Sequence, residues 1–515
     1  MNKNYLNNLT RIELIQKISQ LEALINNSRN SNDNLNENAG YSTTTEVSIS
    51  KKLKKIKKEP KPFDFTKYKA RRIALKFAYM GTNYHGLTSS IHDTVETVES
   101  HLLDALIKSK LIPARESFVT NWSRCGRTDK GVHSFDQVCS FYIRTNLPLD
   151  DSRLVDWPTK QEDEKKLVFR EDALNPRKPQ IESIDSTFIE LPYISMINRL
   201  LPNDIRVIAW SPVSANFDAR FSCVHRRYKY FFPKRDLNIE IMNKACKLFI
   251  GEHDWRNFCK FDVRLESVSF KREITECKVH PVGFEDIENL EEIDFKAFSK
   301  PTDFFVFVVK GNSFLWHQVR CMMAILFLIG EEKEDPSVIS NLLDISQHPE
   351  NSGKPLYPMA SEASLVLVEC GFDKEHFLWK TEDDIIHEPQ KKSYQLNSDT
   401  HINCQEKILE TFWNLLSESS IKTSILNSFV SNFNRNLNLS AILKKSELRG
   451  VHFNKGNYVP ILSRQRCDSL DVRRKKGEDH KEKLKFQAET KAKKKGNPNL
   501  KRCINDTDNT IGKII

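Results

Sequence analysis

The stretch DFFVFVVKGNSFLWHQVRCMMAILFLIG, residues 303–330, constrains this chain more than any other. Its first part reads as a β-branched and aromatic strand, its middle as a Gly-Asn-Ser turn, and its end as a helix with no polar face. A helix that is apolar all round must be buried. The run CMMAILFLI, 321–329, is far shorter than the roughly 18 residues a membrane-spanning helix needs. The segment therefore predicts a strand and helix inside the core of a sizeable domain. A chain of 515 residues, 39% apolar and 10% aromatic, can supply that core and suggests two or three domains.

Around this segment the chain alternates between strand and helix readings. RRIALKFAYMGTNYHGL (71–87) places Ile73, Leu75, Phe77 and Tyr79 on one face of a strand that runs into a turn. TVESHLLDALIKSKLIP (97–113) reads as a helix stopped by Pro113. FDQVCSFYI (135–143), RRYKYFFP (226–233) and SLVLVECGF (364–372) read as strands. YISMINRLLPNDIRVIAWSPV (193–213) reads as helix, turn and strand, and NKACKLFIGEHDW (243–255) as a helix ending near Gly251. The order alternates less strictly than in a doubly wound sheet. It predicts an α+β protein of two similar halves, 71–214 and 215–373, whose sheets pack side by side. The charged segment 148–187 reads as an insertion in the first half. Residues 1–70 combine a short amphipathic helix with a polar linker, 374–463 form a helical extension, and 464–515 form a basic disordered tail.

Charge is concentrated at the two ends. Residues 1–70 carry 13 basic and 7 acidic side chains, and residues 464–515 carry 16 and 8, so of the net +10 the middle of the chain holds about −4. Basic arms of this kind attract phosphate without reading sequence, which makes a nucleic-acid partner reasonable; they serve equally as solubilising or import segments. KKLKKIKK, 51–58, is a candidate nuclear-localisation cluster. The 11 cysteines are scattered with no C-x-x-C pair, which suits a reducing compartment and excludes a zinc ribbon. The first residues lack the apolar core of a signal peptide, and a soluble intracellular protein, nuclear and cytoplasmic, is expected. No phosphate-binding loop, dinucleotide fingerprint or nucleophile elbow is present, and the histidines lack metal-ligand spacing. No cofactor and no metal is expected.

The stretch SRCGRTDKGVHS, 123–134, packs two arginines, a lysine, an aspartate, a histidine and two glycines into a dozen positions. Asp129 sits between Arg127 and Lys130 in what reads as a tight loop, with Gly131 supplying the turn. Flanking cations predict an ionised carboxylate, fit to act as nucleophile or general base. The residues alone leave open the other reading, an aspartate that caps a turn and pairs with surface arginines. Tyr228 on its strand can stack on a base and still present its hydroxyl, or simply fill the core. Arg320, at the start of the apolar helix, needs an anion or a route to water, and Asp129 is the obvious candidate partner.

RCGRTDKGVHS resembles the signature loop of the TruA family of pseudouridine synthases, whose core is R-T-D-x-G-V. FDARFSCVHRRYKYFF (217–232), GNSFLWHQVRCMMAILFLIGE (311–331) and ASEASLVLVECGF (360–372) resemble further family segments in the same order. The likeness covers about 71–373. Cys125-Gly126, GEHDWRNFCKFD (251–262), KPLYPMASE (354–362) and YVPILSRQRCDSL (458–470) are similar to the eukaryotic branch that acts on positions 38 and 39 of the tRNA anticodon stem-loop. His133, Asp136 and the turn TSSIHD (88–93) depart from the branch pattern. The resemblance implies ferredoxin-like or RNA-recognition-like halves with mostly antiparallel sheets around a central cleft. It implies cofactor-free isomerisation of uridine in tRNA, by a homodimer without membrane association. Asp129 would be the catalytic carboxylate. Tyr228 would stack on the uracil, Arg127 would fill the space left by the flipped base, Arg320 would pair with Asp129, Leu365 would pack on the uracil, and Lys130 would hold phosphate. Activity on other tRNA or mRNA uridines, and a non-catalytic tRNA-binding role, are the alternatives.

Overall fold

The computed structural model describes residues 63–88, 95–149, 151, 153–157, 190–260, 269–283, 303–347, 352–381, 404–433, 458–469, 471–479, 482–483 and 486. The readings of 1–62, of most of 148–187 and of most of the C-terminal tail lie outside these residues, as does most of the turn 88–93.

The alternating residues of 71–79 form β1 (Ala70–Tyr79), which pairs antiparallel on one edge with β3 (His133–Arg144) and on the other with β4 (Ile205–Pro212). A two-residue strand, β2 (Ser123–Arg124), joins β3. In the second part, β5 (His225–Pro233) pairs with β8 (Phe304–Gly311), β8 with β7 (Lys271–Pro281), and β7 with β6 (Gly251–Asp254). All these pairs are antiparallel. A further strand, β10 (Leu365–Gly371), lies between the two groups, antiparallel to β5 and parallel to β3. Strand order is therefore β4-β1-β3-β10-β5-β8-β7-β6. The expectation of two sheets packed side by side is corrected: among the described residues they are one nine-stranded, mostly antiparallel sheet, because β10 has free backbone edges on both sides and satisfies β3 and β5 together. A separate small ribbon pairs β9 (Ser352–Pro355) with β11 (Arg466–Asp468).

Each part of the sheet carries its own helices and core. Over the first part lies α1 (Val98–Lys108), which starts at a reciprocal cap: Thr97 Oγ1 accepts from the Ser100 N–H, and Ser100 Oγ accepts from the Thr97 N–H. Beside it, α2 (Tyr193–Asn198) packs with Trp210 and Ile205 of β4. The second part is covered by α3 (Ile239–Lys247), α4 (Gln318–Gly330) and α5 (Ser337–Leu343). Of α4, every residue but Arg320 is buried, as its all-round apolar sequence requires. The helix read over 243–255 is shorter and earlier: Asn238 caps α3 by accepting from the Ile241 N–H, the helix ends at Lys247, and Gly251 (φ 110°) turns the chain into β6. A long helix, α6 (Cys404–Phe433), touches the first core through Cys404 and Ile408 and exposes Leu409, Trp413, Ile421 and Phe429. No described helix is long and apolar enough to cross a membrane.

Candidate active site

The loop that follows β2 is held from four directions. Gln137 of β3 grips both backbone groups of Gly126, its Nε2 donating to the carbonyl and its Oε1 accepting from the N–H, each at 3.3 Å. The Tyr79 hydroxyl, at the end of β1, lies 2.7 Å from Thr128 Oγ1. The Gly131 N–H donates to the Tyr84 carbonyl. From β5, Arg226 Nη2 donates to the Cys125 carbonyl at 2.9 Å. Gly131 has φ 80°, a conformation that needs glycine, and an added Cβ would lie 2.8 Å from Glu362 Cγ. His133, unexpected from the family pattern, ties the loop's end down: its Nδ1 accepts from the Gly81 N–H and its Nε2 lies 3.2 Å from the Ala363 carbonyl. Asp136, also unexpected, pairs with Lys76 at 2.9 Å.

This loop presents Asp129 to a cavity of about 850 Å³ at the seam where β10 joins the two parts of the sheet. Tyr228 of β5 and Leu365 of β10 line the same cavity, with Arg127 and Arg320. Tyr228 meets Phe314 edge-on, ring centres 5.0 Å apart, and burial pushes its phenol well above the ordinary range, so it is a neutral hydroxyl. Arg124, Arg220, Arg226 and Arg272 add cationic lining, and Phe221 stands 80% exposed beside Arg220, whose guanidinium lies over its ring. Lys130 is exposed and does not line the cavity.

Two expectations about Asp129 are corrected. Its neighbours in sequence, Arg127 and Lys130, are both exposed and neither sets its charge; burial raises its carboxyl above the ordinary aspartate value, against the lowering pull of Trp316, Arg320 and Lys260. Nor does Arg320 bond to it. The Arg320 Nε donates to the Ala360 carbonyl at 2.7 Å and its Nη2 to Glu362 Oε2 at 2.8 Å, so the guanidinium is held one step away and acts on Asp129 through space. The groups that touch the carboxylate are Trp316, whose Nε1–H donates to Oδ1 at 3.1 Å, and His317, whose Nε2 lies 3.3 Å from Oδ2. Sequence reading singled out neither, nor Glu362. The available signal was their position: Trp316 and His317 end the turn that launches α4, four and three residues before Arg320.

The arrangement is a partly desolvated carboxylate facing an aromatic hydroxyl and an aliphatic wall, with cations around the rim. It suits a flat, uncharged ring at the centre and an anionic backbone outside. Among the described residues no group of three or more His, Cys, Asp or Glu could hold a metal ion.

The profile of a family described as tRNA pseudouridine synthase matches residues 245–373. The tRNA pseudouridine(38/39) synthase of Bos taurus is 34% identical over 460 residues, covering 85% of this chain and 84% of its own length. The synthase of the same name from Saccharomyces cerevisiae is 40% identical over 333 residues, 64% of each chain. The tRNA pseudouridine synthase A of Methanothermobacter thermautotrophicus is 29% identical over 277 residues, 53% of this chain and 74% of its own.

Proposed function

The chain belongs to the tRNA pseudouridine synthase family, and from that premise we propose that it isomerises uridine to pseudouridine in the tRNA anticodon stem-loop, at positions 38 and 39. One observation carries the reading: the partly buried carboxylate of Asp129 lines, together with Tyr228 and Leu365, a cavity large enough for a nucleoside. The reaction breaks the bond from N1 to C1′ and joins C5 to C1′. It needs neither redox chemistry nor phosphate energy. The target base leaves its stack and enters the cavity, where Tyr228 and Leu365 sandwich the uracil. Asp129 attacks C1′ or removes the C2′ proton. After the base turns over, the neutral Tyr228 hydroxyl is placed to carry the C5 proton. Arg127 occupies the space the base vacates, Arg320 favours the ionised acid through its charge, and Lys130 meets phosphate outside the cavity.

The proposal extends to architecture and location. Each half is a ferredoxin-like unit, and the enzyme is a homodimer, for which the exposed Leu409, Trp413, Ile421 and Phe429 of α6 supply apolar surface. Residence in nucleus and cytoplasm rests on the lysine cluster 51–58. Pseudouridine mapping on an unmodified tRNA transcript tests the activity. Wild type converts position 38 or 39; Asp129→Asn binds the RNA and converts nothing. Binding without conversion by either protein overturns the enzymatic reading, and conversion at other positions moves the substrate.

A further inference from the structure

We propose that Trp316 and His317 are positioning residues that hold the two oxygens of Asp129 from opposite ends, the task sequence reading gave to Arg320. The inference rests on the activity proposed above. Its geometry is independent of it. Each oxygen has its own partner: Oδ1 accepts from the Trp316 indole at 3.1 Å, and Oδ2 faces His317 Nε2 at 3.3 Å. A hydrogen bond on one oxygen and a ring packed against the other, from adjacent residues, restrict both the position and the rotation of a carboxylate, which a single through-space charge cannot do.

The backbone is bent to make this possible. His317 is the residue before α4 and has φ 63°, a left-handed conformation that costs a histidine about 1–2 kcal/mol. That turn sends the two side chains toward the same carboxylate. The Trp316 indole is held from its other face by Lys260, whose ammonium lies 4.3 Å from the ring centre. Only 10% of the His317 side chain is exposed, and its Nδ1 is buried without a partner. An imidazole in that position gains nothing at Nδ1, and its Nε2 meets Asp129 in close contact without a hydrogen bond, so the ring acts as a wall against Oδ2.

The protonation state follows. Burial, with Arg320, Lys260 and Lys354 nearby, pushes His317 down to about 4. The ring is neutral near pH 7 and brings no charge to the side of Asp129 that it covers. Asp129 is faced by Trp316, His317, Arg320, Lys260 and Glu362, and of these the Trp316 indole alone hydrogen-bonds to it, with His317 in contact, among the described residues. The Trp316 donor stabilises the ionised acid against the desolvation that raises it, and removing that donor raises the carboxyl further.

The test compares wild type, Trp316→Phe, His317→Ala and His317→Gln in single-turnover conversion of a tRNA anticodon-arm transcript from pH 5 to 9, with RNA affinity and thermal melting measured alongside. Trp316→Phe keeps an aromatic ring and loses the donor; His317→Gln keeps a side chain of similar reach against Oδ2. The expected result is a rate loss of about tenfold for Trp316→Phe and for His317→Ala, with RNA affinity changed less than twofold. The acid limb of the rate profile moves to higher pH in Trp316→Phe, where the donor is lost, and His317→Gln recovers part of the rate lost in His317→Ala. Unchanged rate and acid limb in Trp316→Phe, or a loss confined to RNA affinity or to melting, overturns the clamp. Absence of conversion by wild type instead overturns the activity on which it rests.

Discussion

At Asp129 burial and charge pull in opposite directions, and burial wins. The acid limb of the reaction should therefore lie above the ordinary aspartate value of about 3.9. Glu362 contributes to the upward shift and also holds the Arg320 guanidinium. Glu362→Gln removes the repelling charge and loosens Arg320, so the Asp129 carboxyl falls and the acid limb moves to lower pH. Trp316→Phe moves it the other way. A pH–rate series on the two variants reads both signs, and a shift in one common direction contradicts the assignment. The Asp129 loop stood out in the residues themselves, while Tyr228, Leu365 and the tasks of the arginines came from the family resemblance. Which partner each selects was not legible. Arg320 lies nearer to Glu362 and the Ala360 carbonyl, which arrive from 40 or more residues away in sequence.

Among the elements, the loop from Cys125 to Val132 depends on glycine at one place above others. Gly131→Ala must adopt φ 80° and push its Cβ into Glu362, which is held by Arg320. A stability loss of about 1–2 kcal/mol is expected from the backbone alone. Conversion should drop by more than the melting shift explains, because Glu362 moves with the acid's electrostatic surroundings; calorimetry and single-turnover rates together check this. β1 and β5 were readable from alternation, and β3, β8 and β10 from their β-branched and aromatic runs. β7 was not, since KREITECKVHP mixes charge into its pattern and buries Ile274, Cys277 and Val279 across a register shift after Ile274. β6 was misread as the end of a helix for a related reason: four residues of edge strand have no period of their own, and only pairing with β7 defines them.

Over the whole molecule, β10 is the seam, and Leu367 within it is fully buried with its carbonyl accepting from Ser134 Oγ. Leu367→Ala should cost about 2–5 kcal/mol in chemical denaturation. A second long-range tie joins Arg71 of β1 to Glu190 ahead of α2 at 2.9 Å. Burial alone would raise Glu190, but the Arg71 charge and bonds from Thr145 and the Asn146 and Leu191 N–H groups hold it below its ordinary value. A lowered carboxylate stabilises the fold above its unfolded value of about 4.3 and loses that contribution as pH falls through the folded one. Glu190→Gln should therefore cost about 3 kcal/mol near neutral pH, with the gap from wild type closing in acid. The amino-acid sequence by itself determined what is local: the periodic strands, the apolar helix α4 and the residue types of the cavity, since neighbouring side chains and backbone preference suffice for these. Only the tertiary structure decided that β10 merges the halves into one sheet, that Arg320 is kept from Asp129, and that Trp316 and His317 hold the acid, because hydrogen-bond partners are chosen by distance in space among groups far apart along the chain.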